Sequence, residues 1–334
     1  MLRAVSQLLW SDKDREEWFS LGENHEKAYC FGLHQLRTAL MPITYTKASM
    51  RPVAVISKPQ KEELATLLPE LVVWMRAHDF EPILDHVSGS YTRDARVVPR
   101  HELPAQKPAL VVVLGGDGTL LAAARAFART DVPILSVNLG ALGFLTEVRL
   151  ADLYTTLEGW KEGCCNIDAR ALLHTEVLRG GALYREYEAL NDVVIAKGAI
   201  ARMGDFSVHL FEQLAASFRA DGVIISTPTG STAYNLAANG PILAPSVDAL
   251  VITPICPHLL TIRPMVVRGD AHVTVSVEGI PDLTFLTVDG QEALQLRVGD
   301  QVCCRRSEHN VNLVRMGKTG FFDVLRSKLS WGER

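Results

Sequence analysis

An α/β domain followed by a mainly antiparallel β domain is the fold class this sequence predicts. Three observations carry that expectation. From Arg51 to about residue 147, short apolar runs alternate with helical stretches, the rhythm of a parallel sheet covered by helices. Later runs change to a period of two: in AHVTVSVEG, residues 271–279, Val273, Val275 and Val277 alternate with His272, Thr274 and Ser276, as in a half-buried strand. Gly180-Gly181, Asp289-Gly290 and Gly299-Asp300 fall between such runs and supply the turns that antiparallel hairpins need.

Residues 1–49 fit neither rhythm. They hold one stretch, residues 15–31, that reads as an amphipathic helix, and the first strand of the fold follows directly after Met50. We therefore expect an N-terminal extension over residues 1–49, dispensable to the fold, with Met50 as an alternative start. Residues 53–56 read as the first strand, 62–78 as a helix and 81–84 as a second strand. Pro108 then introduces the apolar run 109–114, which ends in glycines; an alanine-rich helix over 120–128 and a strand over 133–137 follow. In the second half, Leu294, Leu296 and Val298 repeat the two-residue period. The chain closes with residues 320–331, where Phe321, Val324, Leu325 and Leu329 share one helical face and read as a packing stripe. The expected boundaries are 50–148 for the α/β domain, 149–305 for the β-rich domain and 306–334 for a C-terminal segment.

Composition narrows the function classes. A net charge of −4 with dispersed basic residues gives no footprint for a nucleic-acid partner. No run of about 18 apolar residues is present and acids crowd the N-terminus at Asp12, Asp14, Glu16 and Glu17, so neither a membrane partner nor a signal peptide is expected. The cysteines include two adjacent pairs, Cys164/Cys165 and Cys303/Cys304, but no CxxC. They read as small apolar strand residues, consistent with a reducing, cytoplasmic location.

The chemistry centres on VVVLGGDGTLLAAARAF, residues 111–127, where an apolar strand runs through glycines into a helix. Glycines let backbone N–H groups approach a phosphate, and a helix start favours negative charge. Asp117 within that turn would repel a phosphate unless a divalent cation or a substrate hydroxyl intervened, which points to chemistry. A tight turn is the alternative reading of GGDG. The spacing excludes a dinucleotide-binding fingerprint, which needs glycine where Leu121 stands, and a P-loop, which needs Gly-Lys-Ser/Thr.

A second segment, ADGVIISTPTGSTAYNLAANGP at residues 220–241, is dense in hydroxyls beside glycine. It offers donors to a phosphorylated ligand, and Tyr234 offers a ring face. Residues 223–247 are 25 consecutive uncharged residues with little periodicity, which reads as a ligand loop. Ser231 lacks the GxSxG setting of a nucleophile. Asn191-Asp192 interrupts an apolar stretch; the pair suits reading a ribose or base edge, or capping a turn at a strand end. His258 reads as a packed or hydrogen-bonded residue in place of a metal ligand.

Together these segments resemble the NAD kinase family. GGDGTLL (115–121), NLGALGFLTE (138–147), LNDVVI (190–195), the 220–241 segment, PICPH (254–258) and DGQ (289–291) occur in the family's order across roughly residues 51–330. GGDGT alone is shared with lipid kinases; the long Thr/Ser/Tyr segment is what selects this family. The resemblance implies phosphoryl transfer from ATP, or polyphosphate, to the adenosine 2′-hydroxyl of NAD, with a divalent cation, Mg2+ by default. It implies Asp117 as proton acceptor with Gly118 beside the dinucleotide. It also implies NAD contacts from Asn191, Asp192, Arg202, Arg219, Asp221, Thr232, Ala233, Tyr234, Asn235, Leu236, Ala237 and Gln291; no metal ligand from the protein is assigned. A homodimer or homotetramer is implied, with groups from a neighbouring subunit completing the site, and a final segment returning to the first domain. Two departures stand out. Asp192 replaces the family's more frequent Glu, and Ala141 replaces a frequent Arg or His. A lipid kinase on the same turn would need a more hydrophobic acceptor site, and an NAD sensor without turnover would not need Asp117.

Overall fold

The computed structural model describes residues 50–140, 143–146, 148–198, 203–278, 284–315 and 320–331. Residues 1–49, the expected extension, lie outside this set, as do Arg202 and Ala141. In chain order the first half is β1 (Arg51–Ser57), α1 (Leu64–Ala77), β2 (Phe80–Leu84), α2 (His86–Gly89), β3 (Arg96–Val97), β4 (Leu110–Gly115), α3 (Asp117–Ala126), β5 (Ile134–Asn138), β6 (Val148–Arg149) and α4 (Leu153–Lys161). The strands β1 to β6 pair in parallel, in the spatial order β6, β5, β4, β1, β2, β3. Val111, Val112 and Val113 are fully buried, as expected of a strand covered by helices on both faces. Strand β1 lies between β4 and β2, so the chain direction across the sheet reverses there. Ligands of open α/β sheets bind outside the carboxyl ends of strands at that kind of switch point. Gly115, which opens the GGDG turn, ends β4 at that position.

Helix α4 falls beyond residue 148, yet its Leu153 and Leu157 pack in the same core as Val53, Leu64 and Leu110. The alternating period expected from residue 149 therefore begins only at β7.

The second half contains β7 (Asn166–Arg179), β8 (Ala182–Ala189), β9 (Asp192–Lys197), β10 (Gly204–Leu210), β11 (Gln213–Ala220), β12 (Gly222–Ser226), α5 (Tyr234–Ala237), β13 (Ala249–Ile255), β14 (Met265–Arg268), β15 (Val273–Glu278), β16 (Thr284–Val288), β17 (Glu292–Gln295) and β18 (Gln301–Arg315). Among the described residues, β14, β13, β12, β9, β16 and β17 form one antiparallel sheet. Val273, Val275 and Val277, on β15 between β10 and β18 of the other sheet, are buried in the core the two sheets share, as their period predicts.

Two expectations need correction. The run through Val298 does not extend β17, which stops at Gln295; Val298 is exposed and Gly299 adopts a φ of 81°. The uncharged stretch 223–247 is not all loop, because residues 222–226 form β12, buried along its whole length. A strand buried on both faces shows no alternation and is invisible to a period-two search.

The final strand joins the halves. Its first residues pair with β15 and β7, and Leu313 pairs in parallel with Ile134 of β5. The chain thus returns to the first sheet before α6 (Phe321–Leu329), which buries Val324 and Leu325. Among the described residues no helix is long and apolar enough to cross a membrane.

Candidate active site

Asp117 is the first residue of α3, with Gly116 as its cap; an acid there complements the positive helix end. Both oxygens of its carboxylate accept hydrogen bonds. The Phe144 N–H donates to Oδ2 at 2.9 Å, while Oδ1 accepts from the Leu145 N–H at 3.2 Å, the Thr146 N–H at 3.1 Å and the Thr146 hydroxyl at 2.9 Å. Asn138 Nδ2 adds a bond to Thr146 Oγ1 at 3.3 Å. This approach requires Gly143, because a Cβ there would lie 2.0 Å from Asp117 Oδ1. The GGDGT and NLGALGFLTE segments are therefore two halves of one structure, the second wrapping the carboxylate supplied by the first.

The acceptor-binding candidates gather at the start of β9. Asn191 precedes the strand and its carbonyl accepts from the Thr227 N–H at 2.9 Å. Asp192 opens β9 and is buried, with the Tyr234 N–H bonded to its carboxylate. Burial first, and the nearby Asp289 charge second, push the Asp192 carboxyl up to about 7. Burial likewise raises Asp289, although its carboxylate accepts the N–H groups of Leu190, Asn191 and Asp192 at 3.0, 2.7 and 3.3 Å.

The linkage has a definite sign. A raised carboxylate binds its proton more tightly in the folded state, so stability falls as pH rises from the unfolded value near 4 to about 7. Relative to Asp192→Asn, the wild-type protein should lose on the order of 4 kcal/mol across that window. A wild-type thermal midpoint close to that of Asp192→Asn at pH 4.5 but well below it at pH 7 would support this; a constant difference at all pH values would refute it.

Gln291 closes the site from the opposite side. The β16–β17 turn places Asp289 and Gly290 at φ of 50° and 65°, a left-handed pair that Asp and Gly tolerate. Gln291 follows, and its Nε2 donates to the Gly118 carbonyl at 2.7 Å. The β hairpin thereby touches the GGDG turn.

Thr232, Ala233, Tyr234, Leu236 and Ala237 line the short turns after β12, with Tyr234 46% exposed and available for stacking. Asn235 is buried, and its amide is committed internally: Nδ2 donates to the Ser231 and Pro241 carbonyls and Oδ1 accepts from Thr253. It braces the segment. Ser231 is likewise engaged, with the Pro228 and Leu243 carbonyls. Of the two roles expected for His258, packed or hydrogen-bonded, its exposed side chain does not pack, while its backbone N–H donates to the Arg219 carbonyl.

Arg219 and Asp221 are not brought to this place within one chain. Ser226 pairs with Asp192 but Gly222 pairs with Ala196, so Asp221 sits roughly 15 Å along the sheet from Asp192 at the usual strand rise. There Asp221 pairs with Lys197, and Arg219 pairs with Asp205 at 3.2 Å.

Asp289, Arg125 and the amides of residues 144–146 belong to the site but were not marked as site residues by sequence reasoning. The DGQ and NLGALGFLTE segments carried the signal for the first and last of these. Nothing in the alanine-rich helix pointed to Arg125.

A model of the ATP-NAD kinase N-terminal domain matches residues 53–163, and one of the ATP-NAD kinase C-terminal domain matches residues 190–316. The chain belongs to the ATP-NAD kinase family. Its reaction is phosphorylation of NAD to NADP. The NAD kinase of Acidobacterium capsulatum is 67% identical over 285 residues, covering 85% of this chain and 100% of that protein. That of Koribacter versatilis is 48% identical over 285 residues with the same coverage. Among solved structures, yeast NADH kinase complexed with NADH aligns with a TM-score of 0.78 at 23% identity, covering 86% of this chain and 90% of that one. An NAD kinase from Archaeoglobus fulgidus in complex with ATP aligns at 0.67 and 22%, covering 84% and 98%.

Proposed function

We propose that Asp117 accepts the proton of the adenosine 2′-hydroxyl of NAD as ATP delivers its γ-phosphoryl group, with Gly118, Asn191, Asp192, residues 232–237 and Gln291 around the dinucleotide. The observation that carries this reading is the 2.7 Å bond from Gln291 to Gly118, which joins the GGDG turn to the hairpin beside Asn191 and Asp192. A ribose hydroxyl is a weak nucleophile near neutral pH, and a carboxylate within hydrogen-bond reach both orients it and takes its proton. Because both Asp117 oxygens already accept bonds from the 144–146 loop, the hydroxyl shares the carboxylate with those donors or displaces one of them. Incubating the purified chain with NAD, ATP and magnesium, and locating the new phosphate by phosphorus NMR, tests the assignment. The adenosine 2′ position is expected; any other position contradicts it.

Among the described residues no group of three or more His, Cys, Asp and Glu is placed to hold an ion. We infer that the divalent cation, magnesium by default, enters on the phosphates of ATP, in keeping with its preference for phosphate and water oxygens. It would supply charge neutralisation as the phosphoryl group moves.

The placement of Arg219 and Asp221 at the far end of β12 supports a site shared between subunits of a homodimer or homotetramer. In that reading these two residues, and Arg202 upstream, reach the dinucleotide bound by a neighbouring copy. Co-expressing Asp117→Asn with Asp221→Ala chains should restore about a quarter of the sites by random pairing, since one site of each mixed dimer is intact. Activity no higher than that of the two variants alone would place Asp221 outside the site.

A further inference from the structure

Arg125 lies on α3, about two helical turns beyond Asp117. Its guanidinium grips one hairpin at three points. Nη2 donates to Gln291 Oε1 at 2.8 Å, Nε lies 2.6 Å from Glu292 Oε1, and Nη1 stands 3.7 Å from Asp289 Oδ2. The side chain is 17% exposed and Nη1 is buried without a hydrogen bond, so the contact with Asp289 is one of charge alone. Asp289 in turn holds the backbone of Leu190, Asn191 and Asp192, and Gln291 returns to α3 through the Gly118 carbonyl. The contacts close a circuit between α3 and the hairpin, through Arg125 and through the Gly118 carbonyl, and the hairpin carries the acceptor-binding turn on Asp289.

Two requirements meet in that circuit. Asp192 and Asp289 are buried acids side by side, and Arg125 is the cation placed against Asp289; removing one partner of a buried charge pair leaves the other uncompensated. Phosphoryl transfer also depends on fixed placement of acceptor and base, and a displacement near 1 Å costs on the order of 100-fold in rate. Asp117 and Asn191 are far apart in sequence, so tertiary contacts of this kind must set their spacing.

We propose that Arg125 is a positioning residue for the transfer: by clamping the Asp289, Gln291 and Glu292 hairpin onto α3, it sets the distance between the Asn191–Asp192 turn and Asp117. This rests on the reading that Asp117 and the Asn191–Asp192 pair both face the bound dinucleotide. In this role Arg125 acts through the hairpin.

The test compares Arg125→Ala and Arg125→Lys with Arg129→Ala, which removes an exposed ion pair to Glu186 just past the same helix. Each full-length enzyme is assayed with NAD and Mg-ATP, with folding followed by circular dichroism. For Arg125→Ala, kcat should fall roughly 10- to 100-fold while KM for NAD changes less than about threefold, since the binding groups remain but their placement loosens. Arg125→Lys should lose about tenfold, because a single ammonium lacks the planar fork that reaches several acceptors. Arg129→Ala should stay within about twofold of wild type. A folded Arg125→Ala or Arg125→Lys enzyme with wild-type kcat would overturn the proposal. So would a KM increase that accounts for the whole loss, or unfolding of both variants, which would make Arg125 a stability residue. The outcomes separate from those for the base. Normal turnover in Asp117→Asn beside a slow Arg125→Ala removes the base and leaves the clamp; the reverse removes the clamp alone.

Discussion

Asp117→Asn should lower turnover by roughly two to four orders of magnitude, because it removes the proton acceptor while keeping the side-chain shape. The substitution is not silent elsewhere. All four groups around the carboxylate are donors, three backbone N–H groups and the Thr146 hydroxyl. A neutral amide presents its own N–H2 to one side of that ring, so at least one donor loses its acceptor, costing about 1–3 kcal/mol. The thermal midpoint should therefore fall as well. The two effects part on cooling: well below the midpoint the 144–146 loop packs again, yet turnover stays low if Asp117 takes the proton. Recovery of near-normal kcat in the cold, with both substrates saturating, would reduce Asp117 to a loop anchor.

Gly230→Ala should be the most damaging small substitution in the dinucleotide site. A Cβ at Gly230 would lie 2.0 Å from the Asn191 carbonyl oxygen and 2.6 Å from the Asn191 Cα, atoms of the main chain that have no rotamer to escape into. The Thr-Pro-Thr-Gly segment would have to withdraw from the acceptor-binding turn. That would strain the bonds of Thr227, whose hydroxyl donates to the Leu190 carbonyl at 2.6 Å and whose N–H donates to the Asn191 carbonyl at 2.9 Å. Overpacking of this kind costs about 1–3 kcal/mol. If half of that falls on the bound state, KM for NAD rises about 2- to 12-fold. Steady-state kinetics with wild-type KM and an unchanged midpoint would show that the two segments do not need the contact.

Much of this site could be read from residues, and the limits have physical causes. The run 109–114 and the glycines after it placed Asp117 at a strand-to-helix turn, because burial on both faces and a helix start leave local marks. The hairpin at Asp289-Gly290 was legible for the same reason, since left-handed backbone selects those residues. What the sequence does not carry is the partner across space. Nothing near Asp117 shows that its acceptor capacity is taken up by residues 144–146, although the glycine at 143 exists for that contact. Asn235 is a ligand contact only by the family resemblance, and the fold shows its amide spent on Ser231, Pro241 and Thr253. The separation of Asp221 from Asp192 follows from strand register, which a list of motifs in order does not contain. Helix α4 is short and was hidden by the change of rhythm around it. The raised proton affinity of Asp192 depends on burial and on Asp289, a neighbour 97 positions away by numbering.

One carboxylate must be held by the 144–146 loop and still receive the acceptor's proton. A crystal structure of the protein with NAD and a non-hydrolysable ATP analogue measures this directly. The adenosine 2′-oxygen should lie within about 3 Å of an Asp117 oxygen, in hydrogen-bond range, with one of the present donors lengthened or released. A 2′-oxygen more than about 4 Å from both oxygens, beyond any hydrogen bond, with all four present donors still in place, would contradict the assignment of Asp117 as the base.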